Sequence, residues 1–582
     1  MASLAPVARS GALSAPQLRR RELHGEPRNW PDTVHPVLQR IYAARGVLEP
    51  DGAEHRLARM LSPELLGGME RAVELLAEAI RNDWSILVAG DYDCDGATGT
   101  AVAVRGLRLL GAKQVDYAIP NRFAHGYGLS AAFVASMQPA PQLIVTVDNG
   151  VASVDGVAAA QARGIKVIVT DHHLPGEQLP ACEAMVNPNL SGDPFPSKML
   201  AGVGVMFYLL LALRAKLHAQ GAFGERKPDL ASLLDLVALG TVADLVPLDF
   251  NNRVLVEAGL QRMRRGLACP GVTALIEAGR RSLATLCASD LGFVVGPRLN
   301  AAGRLEDMRL GVECLLADDS ALAQQHAAQL DAINRERRDL QASMVAEAET
   351  MVAGLGDTDA VGVALYEPSW HAGVVGLVAS KLKERLHRPV IAFAPASEDD
   401  LEHLRGSARS IPGFHIRDAL AAIDARQPGL IERFGGHAMA AGLSLNAADY
   451  PRFAAAFDAI ARELIEPDRL QAVLHTDGEL PPGAATLELA QQLRRAGPWG
   501  QAFPEPVFDN LFECASWKPM GERHLRLQLR DPRDGSVHDA VMFNAWHGQL
   551  PPPRLRAAYE LTVNDWQGRE SVRLLLRHIE PA

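Results

Sequence analysis

Short apolar runs alternate with alanine-rich windows between residues 85 and 190, and this pattern constrains the fold more than any other feature of the chain. The runs have the length and β-branched content of buried strands, whereas the windows 97–110 and 153–163 have the composition of helices. Strands that alternate with helices form βαβ units, in which the strands are parallel and helices cover both faces of the sheet. We therefore predict an α/β fold whose parallel strands span residues 85–90, 115–119, 143–148, 166–170 and 183–187.

Acidic residues follow directly after the apolar runs. They are Asp91, Asp93 and Asp95 after the first run, Asp148 after the third, Asp171 with His172 and His173 after the fourth, and Asp244 after the later run LGTVA. The carboxyl ends of parallel strands lie at one edge of a sheet, so we expect these side chains to converge there. Converging carboxylates repel one another unless cations lie between them. Oxygen ligands with one or two histidines suit Mn²⁺ or Mg²⁺, so the sequence predicts a metal-dependent enzyme that acts on phosphate.

The composition is that of an ordinary globular protein, and it argues against several classes of protein. A chain of 582 residues is too long for one hydrophobic core, so we expect three or four domains. The net charge of −11 argues against a generally basic nucleic-acid coat but allows a local cationic channel. The six cysteines have no CxxC spacing, which indicates reduced thiols in a cytoplasmic protein, without disulfides or a zinc site.

Two segments resemble targeting or membrane signals. Residues 1–30 begin with an arginine-containing stretch that is similar to an organelle transit peptide, but we favour a disordered leader. The longest apolar stretch, 199–213, has only 15 residues, which is too short for a comfortable membrane span. It predicts a buried helix, and we expect no membrane partner.

The pattern changes three times after residue 190. We assign residues 31–319 to the α/β domain with its N-terminal helices, and its later part, 190–319, looks mostly helical. Residues 320–353 space their apolar side chains by three and four without glycine or proline, which predicts one long connecting helix. Strand and helix patterns resume in 354–467, a second and smaller α/β domain. Short alternating runs in 468–582 predict a small β-barrel or sandwich.

Eight motifs resemble the DHH phosphoesterase superfamily, and together they resemble its branch of bacterial exonucleases specific for single strands. The motifs are GDYDCDGAT (90–98), VDNG (147–150), TDHH (170–173), GTVADLVPL (240–248), RLNAAGR (298–304), WHAGVVGLVASKL (370–382), GSARS (406–410) and FGGHAMAAGLSL (434–445). Each motif alone is only suggestive, but their order and spacing are specific, and the resemblance runs from about residue 30 to the C-terminus. It implies a DHH domain, a connecting helix, a DHHA1 domain and an OB-type barrel.

The resemblance also implies a site for two Mn²⁺ or Mg²⁺ ions. The implied metal ligands are Asp91, Asp93, Asp95, Asp148, His172 and Asp244, and all but Asp91 are also implied to be catalytic, together with His173. In a two-metal site one carboxylate touches both ions, and Asp148, alone at its strand end, is our candidate. We expect Asp93 on one ion, and Asp95 with its partners His172 and Asp244 on the other.

Four positions at or near these ligands have more than one interpretation. Ala89 stands where some relatives carry a histidine, so Asp91 or a water molecule would fill that place. Asp91 and Asp171 are either ligands or acids that orient an imidazole. His173 could contact a phosphate oxygen, donate a proton to the leaving group, or simply pack, and we favour the phosphate contact.

The resemblance implies a second set of residues that bind the substrate. They are Arg122, Arg298, Arg304, His371, Ser407, Arg409, Gly436 and His437. Arg122, Arg304 and Arg409, with Ser407 nearby, would hold the 5′ phosphate because a guanidinium binds phosphate through two parallel hydrogen bonds. Surface salt bridges are the alternative role for each arginine.

The predicted barrel carries aromatic residues interleaved with arginines. The aromatics are Trp517, Phe543, Trp546, Tyr559 and Trp566, and the arginines are Arg526, Arg530, Arg573 and Arg577. Stacking side chains in a cationic groove are how OB folds hold single strands. We expect at least half of the aromatics to fill the barrel core instead.

The implied activity is 5′-to-3′ hydrolysis of single-stranded DNA to mononucleotides in DNA repair and recombination. Single-strand-binding protein and a helicase are the protein partners that the resemblance implies. Hydrolysis of short oligonucleotides or cyclic dinucleotides is an alternative within the superfamily, but the barrel argues against it. A strand-binding scaffold without catalysis is a third hypothesis, and the intact set of acids argues against that one.

Overall fold

The computed structural model describes residues 15–121, 126–354, 360–397, 399–546 and 548–582. These residues form two compact units. The larger unit combines Arg20–Asn334 with Thr476–Ala582, and the smaller unit combines Arg335–His475 with the described part of Met1–Arg19.

The larger unit contains the predicted parallel sheet. The first elements of the chain are β1 (Gln17–Arg20), α1 (Pro36–Ala43), α2 (Met69–Arg81), β2 (Ile86–Ala89), α3 (Cys94–Leu109), β3 (Val115–Ala118), α4 (Ala131–Ser136), β4 (Leu143–Val147), α5 (Val154–Ala162), β5 (Lys166–Thr170) and β6 (Ala184–Val186). Strands β2 to β6 lie in the order β3-β2-β4-β5-β6, and every neighbouring pair is parallel. The α/β prediction is confirmed, and each of these strands lies inside its predicted range.

The strand order explains why ligands can bind at one point of this sheet. From β2 the chain passes first to β3 on one side and then to β4 on the other. The connections that follow β2 and β4 therefore leave the sheet in opposite directions. In open α/β sheets such a switch of direction opens a crevice at the carboxyl ends of the strands.

A helical region follows the sheet, as the sequence predicts. It consists of α6 (Gly202–Ala219), α7 (Leu234–Ala243), α8 (Phe250–Arg264), α9 (Pro270–Ala278), α10 (Ala288–Asp290), a π-helical turn (Leu291–Val295), α11 (Gly296–Leu305), α12 (Arg309–Leu316) and the long helix α13 (Ser320–Gly354). Helix α13 covers the predicted connecting helix and confirms it.

Helix α6 is the apolar helix predicted from residues 199–213. Among the described residues it alone is long and apolar enough to cross a membrane, yet 61% of it is buried inside the protein. It packs against α2, α3 and α7, and Tyr208 within it is fully buried. The apolar stretch is thus part of the core of the larger unit.

The smaller unit is a second α/β domain with its own core. Its elements are β7 (Val363–Tyr366), α14 (Val375–Leu386), β8 (Val390–Ser397), β9 (Asp400–Arg409), α15 (Ile416–Arg426), β10 (Arg433–Gly436), β11 (Ala440–Asn446), α16 (Tyr450–Leu464) and β12 (Val473–Thr476), the last of which ends at the boundary. The sheet order is β10-β11-β9-β8-β7, with β7 and β8 parallel and the other pairs antiparallel. Phe393, Phe453 and Phe457 lie in the core beneath it.

The C-terminal segment returns to the larger unit as a closed barrel. Its elements are α17 (Leu487–Arg495), β13 (Phe508–Met520), β14 (His524–Arg530), β15 (Val537–Met542), β16 (Arg554–Trp566) and β17 (Arg569–Pro581), and the barrel order is β13-β14-β15-β17-β16. The barrel and the parallel-sheet domain share one continuous hydrophobic core. The buried Arg45–Asp477 ion pair, at 2.7 Å, joins α1 to the segment before the barrel.

The expected disordered leader is wrong for residues 15–30. Residues Gln17–Arg20 form β1, which pairs with β12. Arg20 then binds Glu479 at 2.7 Å and the fully buried carboxylate of Asp509 at 3.0 Å. The basic residues of this segment thus neutralise acids near the barrel, a partnership that local sequence does not reveal. Residues 1–14 lie outside the described residues.

Candidate active site

The turn after β2 delivers three carboxylates to the crevice. Asp93 caps α3, because its Oδ1 accepts the Gly96 N–H at 2.9 Å. Asp95 lies in the first turn of α3, and its two oxygens accept the N–H groups of Gly202 and Val203 at 2.6 and 3.0 Å. These hydrogen bonds fasten α6 to the turn and fix the Asp95 carboxylate within it.

Asp148 stands at the centre of the crevice on a strained turn. It follows β4 with φ of +62°, a conformation that non-glycine residues adopt rarely and mostly at functional sites. The neighbouring Asn149 side chain holds the turn by donating to the carbonyls of Ala89 and Val147 at 3.1 and 2.9 Å. The Asp148 side chain is only 2% exposed, and its Oδ1 accepts no hydrogen bond from a described residue.

The turn after β5 brings two imidazoles beside Asp148. His172 Nε2 lies 3.1 Å from Oδ1 of Asp148 and 4.0 Å from Oδ2 of Asp95. His173 Nδ1 lies 2.8 Å from Oδ1 of Asp171, which also accepts the N–H of His172 at 2.7 Å. Asp171 thus orients the second imidazole and the turn itself, which is the role that the sequence left open for it.

Asp244 reaches the site from a helix and not from a strand. The apolar run before it forms α7, and Asp244 is the C-cap residue of that helix. A short, wholly apolar run predicts a buried strand or a buried helix equally well, which explains the misassignment. The Asp244 carboxylate nevertheless lies 3.6 Å from His172 Nε2, so the residue joins the predicted cluster.

The side chains group into sets that are compact enough to hold ions. Ligand atoms of Asp91, Asp93 and Asp148 all lie within 4.8 Å of one another, and so do those of Asp95, His172 and Asp244. A third set combines Asp148 with the two histidines. Asp148 belongs to two of these sets, in keeping with a carboxylate shared between ions. The donors are oxygen and imidazole nitrogen, which fit Mn²⁺ or Mg²⁺.

The electrostatics of the cluster also call for a cation. Burial and the nearby Asp93 raise the pKa of Asp95 to about 7. Burial and neighbouring carboxylates raise the pKa values of Asp148 and Asp244 well above their usual range. Bound cations reverse this effect, because they favour the ionised carboxylates. The Oδ1 atom of Asp148 is buried, accepts no hydrogen bond from the part of the chain that the structure describes, and is the kind of atom that a metal ion satisfies.

Several supporting residues were missed by the sequence analysis. Asn300 of α11 accepts the Cys94 N–H at 2.8 Å and so anchors the turn between Asp93 and Asp95. Tyr127 donates to the Asp148 carbonyl at 3.2 Å, and its hydroxyl lies 3.3 Å from His173 Nδ1. Asn300 lies inside the motif RLNAAGR, but nothing in that motif says which side chain faces the acids.

The predicted substrate arginines of the larger unit differ in their surroundings. Arg122 lies outside the described residues. The Arg298 guanidinium lies 2.8 Å from Asp331 Oδ1 and also contacts the carbonyl of Val294, and its side chain is 11% exposed. Arg304 lies in the last turn of α11. A substrate role for these arginines stays a prediction, and Arg298 already has partners within the chain.

The other predicted substrate residues lie in the smaller unit. Arg409 donates to Ser407 Oγ at 3.0 Å, and both side chains approach the start of α14 so closely that a Cβ on Gly376 would lie within 3 Å of them. His371 Nδ1 accepts the Gly373 N–H at 3.1 Å in the loop before that helix. Gly436, with φ of +138°, is the last residue of β10, and His437 follows it. Ala441 of β11 pairs with Gly436 on one side and with β9 on the other, so it lies between this turn and β9.

The barrel divides the aromatic residues between surface and core. Tyr559 is fully buried and Trp546 packs partly against the core, whereas Trp517 and Phe543 are 37% and 55% exposed. Trp517 and Trp546 stack with ring centroids 5.4 Å apart. The side chain of Trp566 lies outside the description.

Most of the predicted barrel arginines already have acidic partners. Asp539 binds both Arg526 and Arg573, at 2.6 and 2.9 Å. Arg577 donates to Glu560 at 2.7 Å. The positive charge of this face is therefore smaller than the sequence suggests.

Acids and an imidazole gather at the switch point of a doubly wound sheet, in a chain that also contains a second α/β domain and a barrel. This combination defines a metal-dependent phosphoesterase. Three family models match the same three domains. Residues 85–241 match the DHH family, N-terminal domain, residues 359–463 match the DHHA1 domain, and residues 476–578 match the RecJ OB domain.

Known proteins narrow the class to one family. The single-stranded-DNA-specific exonuclease RecJ of Dickeya dadantii is 50% identical over 97% of this chain and 99% of its own length. The crystal structure of RecJ from Thermus thermophilus in complex with Mn²⁺ has a TM-score of 0.79 and 31% identity, over 94% of this chain and 76% of that one. The Mg²⁺ complex of the same protein has a TM-score of 0.74 and 30% identity, over 94% and 75%. The chain belongs to the RecJ family of single-stranded-DNA-specific exonucleases.

Proposed function

We propose that this protein is a metal-dependent exonuclease that hydrolyses single-stranded DNA from its 5′ end and releases mononucleotides. The observation that carries the proposal is the convergence of Asp95, Asp148 and Asp244 on His172, with distances of 3.1 to 4.0 Å between its Nε2 and their oxygens. Near-full-length similarity to single-strand-specific exonucleases supports the choice of substrate.

Two divalent ions, Mn²⁺ or Mg²⁺, fit two of the three compact ligand sets, the one around Asp91 and Asp93 and the one around Asp95. Asp91 and Asp93 would hold one ion, Asp95, His172 and Asp244 the other, and Asp148 both. When bound, such ions lower the pKa of a water molecule and neutralise charge on the phosphate. Ala89 offers no side-chain ligand, and Asp91 takes the vacant position in the proposed set.

His173 is suited to meet the substrate beside these ions. Its side chain is 34% exposed, and Asp171 holds Nδ1 at 2.8 Å, which leaves Nε2, 3.4 Å from the Tyr127 hydroxyl, for a phosphate contact. Although burial opposes it, the hydrogen bond with Asp171 raises the pKa of His173. A cationic imidazole would bind a phosphate oxygen directly and could return a proton to the leaving oxygen.

The 5′-to-3′ direction and the protein partners are part of the same proposal. Arg304 in the larger unit, and Arg409 with Ser407 in the smaller, would hold a terminal 5′ phosphate, and Arg122 completes the proposed set. We expect a cytoplasmic enzyme that works with single-strand-binding protein and a helicase, because its substrate arises where duplex DNA is opened.

Labelled DNA tests the activity and its direction. Purified protein with Mn²⁺ should release mononucleotides from a long single strand, with a 5′ label released before a 3′ label, and should leave the matched duplex intact. Asp148→Asn should lose at least 10³-fold in rate, a loss of about 4 kcal/mol in transition-state stabilisation. Asp155→Asn, an exposed acid in the first turn of α5, is the matched control and should keep full activity.

The products separate the alternatives. If the protein hydrolyses only short oligonucleotides, the result would favour a phosphodiesterase for small substrates. Strand binding without hydrolysis in the parent protein would favour a scaffold. Release from the 3′ end would contradict the proposed direction while leaving the metal site intact.

A further inference from the structure

A second cavity lies at the far ends of two helices that lead to the active site. It has a volume of about 490 Å³ and is lined by Arg105 and Arg108 of α3 and by Leu236 of α7. Helix α3 begins beside Asp93, and α7 ends at Asp244, so each helix has one end at each site. At 1.5 Å per residue, the ten residues from Asp95 to Arg105 span about 15 Å, which makes the cavity a separate site.

Three guanidinium groups line this cavity. Arg108 donates to the Val115 carbonyl at 3.0 Å, and Arg262 of α8 donates to the Leu267 carbonyl at 2.9 Å. Neither forms a salt bridge within 4.0 Å with any described residue, and the acceptors of these two hydrogen bonds are carbonyl oxygens.

The third guanidinium, that of Arg105, forms an ion pair, the only one among the described residues of the cavity lining. Arg105 pairs with Asp318 at 2.8 Å, and the Asp318 side chain is 85% exposed. Exposed pairs contribute little free energy, so an anion that enters the cavity can compete for Arg105. Asp235 lies buried behind the lining, where it accepts the Cys269 N–H at 2.7 Å and interacts electrostatically with Arg262. The lining holds three guanidinium groups and one carboxylate, that of Asp318, so the cavity is cationic.

The opposite part of the lining is apolar. Leu109 and Leu267 are 46% and 54% exposed, so both side chains offer apolar surface to a ligand. Leu233, Leu236 and Leu316 extend this surface into the cavity. A volume of about 490 Å³ lies in the range of small-molecule sites.

We propose that this cavity binds a phosphorylated molecule of nucleotide size. The phosphate would bind Arg108 and Arg262, since guanidinium forks match phosphate oxygens, and the planar ring would cover the exposed leucines. A free mononucleotide and the terminal phosphate of a strand share this chemistry. This binding requires no metal ion and no hydrolysis, so it can be tested independently of the exonuclease activity.

Calorimetry of the full chain in EDTA tests the proposal, with dAMP as the probe. Four proteins are compared: the parent, the double variant Arg108→Gln/Arg262→Gln, Arg409→Gln, and the control Arg81→Gln. Arg81 is an exposed arginine on α2. We expect dAMP to bind the cavity double variant at least tenfold more weakly than the parent, because hydrogen bonds from charged donors are lost. The Arg81 and Arg409 variants should keep this binding event.

Two further arms identify the ligand and guard against misfolding. A 5′-phosphorylated trinucleotide that binds the cavity more tightly than dAMP would point to a strand end, and weaker binding would point to the free nucleotide. Arg108→Lys/Arg262→Lys, which keeps both charges, should restore part of the affinity. Unchanged dAMP affinity in the Gln variant, no binding to the parent, or loss of all binding in the Arg409 variant would overturn the proposal.

Discussion

The first residue of α6 packs against the Asp148 turn with no room for a side chain. A Cβ built on Gly202 would lie 2.5 Å from Asp148 Cβ and 2.7 Å from its Oδ1. Gly202 does not have a positive φ, so alanine fits its backbone conformation. Alanine also retains the N–H that Asp95 accepts at 2.6 Å. Gly202→Ala is therefore a purely steric change aimed at the shared carboxylate.

The expected effect follows from the size of the overlap. Carbon atoms normally approach to about 3.5–4.0 Å, so Asp148 or the start of α6 must move by about 1 Å. A displacement of about 1 Å in a catalytic constellation costs roughly 10²-fold in rate. Overpacking of a well-filled core costs about 1–3 kcal/mol of stability, which leaves a domain of this size folded.

Steady-state hydrolysis of single-stranded DNA at several Mn²⁺ concentrations measures the effect. Gly202→Ala should lower kcat about 100-fold by the same displacement argument and raise the Mn²⁺ concentration needed for half-maximal rate. Gly204→Ala, two residues along α6, is the matched control, because its Cβ would meet nothing nearer than Leu200 Cδ2 at 3.2 Å. Parental kcat and metal dependence in Gly202→Ala would refute the assigned position of Asp148.

Three further predictions concern other parts of the larger unit. Asn300→Ala leaves the Cys94 N–H without its acceptor, which costs about 1–3 kcal/mol. This variant should weaken Mn²⁺ activation at least fivefold. Asn300→Asp keeps an acceptor oxygen and should activate normally. Despite burial, hydrogen bonds from Arg20, Thr476 and Arg556 hold the pKa of Asp509 below its usual range. This group therefore stabilises the fold above about pH 4, and its contribution is lost as pH falls through its folded-state pKa. Melting curves of Asp509→Asn should lie below those of the parent at pH 7 and converge with them in acid. Trp517→Ala should weaken binding of single-stranded DNA by about 1–3 kcal/mol in anisotropy measurements with EDTA, while the exposed Leu511→Ala on the same strand should not.

The sequence predicted the sheet and most of the acid cluster because both depend on local periodicity. A buried parallel strand is a short β-branched run, and its carboxyl end is the next residue along the chain. Asp93, Asp148 and His172 can therefore be assigned to one edge of the sheet from the sequence alone. Asp244 was assigned to the right cluster from the wrong element, since an apolar run of this length does not distinguish a strand from a buried helix.

Partners that are distant in sequence could not be predicted in this way. Asn300 supports the acid turn from about 200 positions away, and its contact with Cys94 depends on how α11 packs. The same holds for Asp539, which neutralises two arginines of the barrel, and for Arg20, which turns an expected leader into an ordered strand. Charge pairing depends on strand register and packing, and neither has a local sequence signal.

The shared core of the sheet domain and the barrel has a consequence for how the protein is made. The larger unit is assembled from the first and last parts of the chain, and the 141 residues of Arg335–His475 are synthesised between them. At about 5–20 residues per second, a ribosome needs roughly 7–28 s to translate that intervening segment. During this interval the sheet domain exposes the apolar surface that the barrel will later cover. Premature termination after residue 475 would therefore leave this nascent domain open to aggregation and chaperone capture, in addition to removing the barrel.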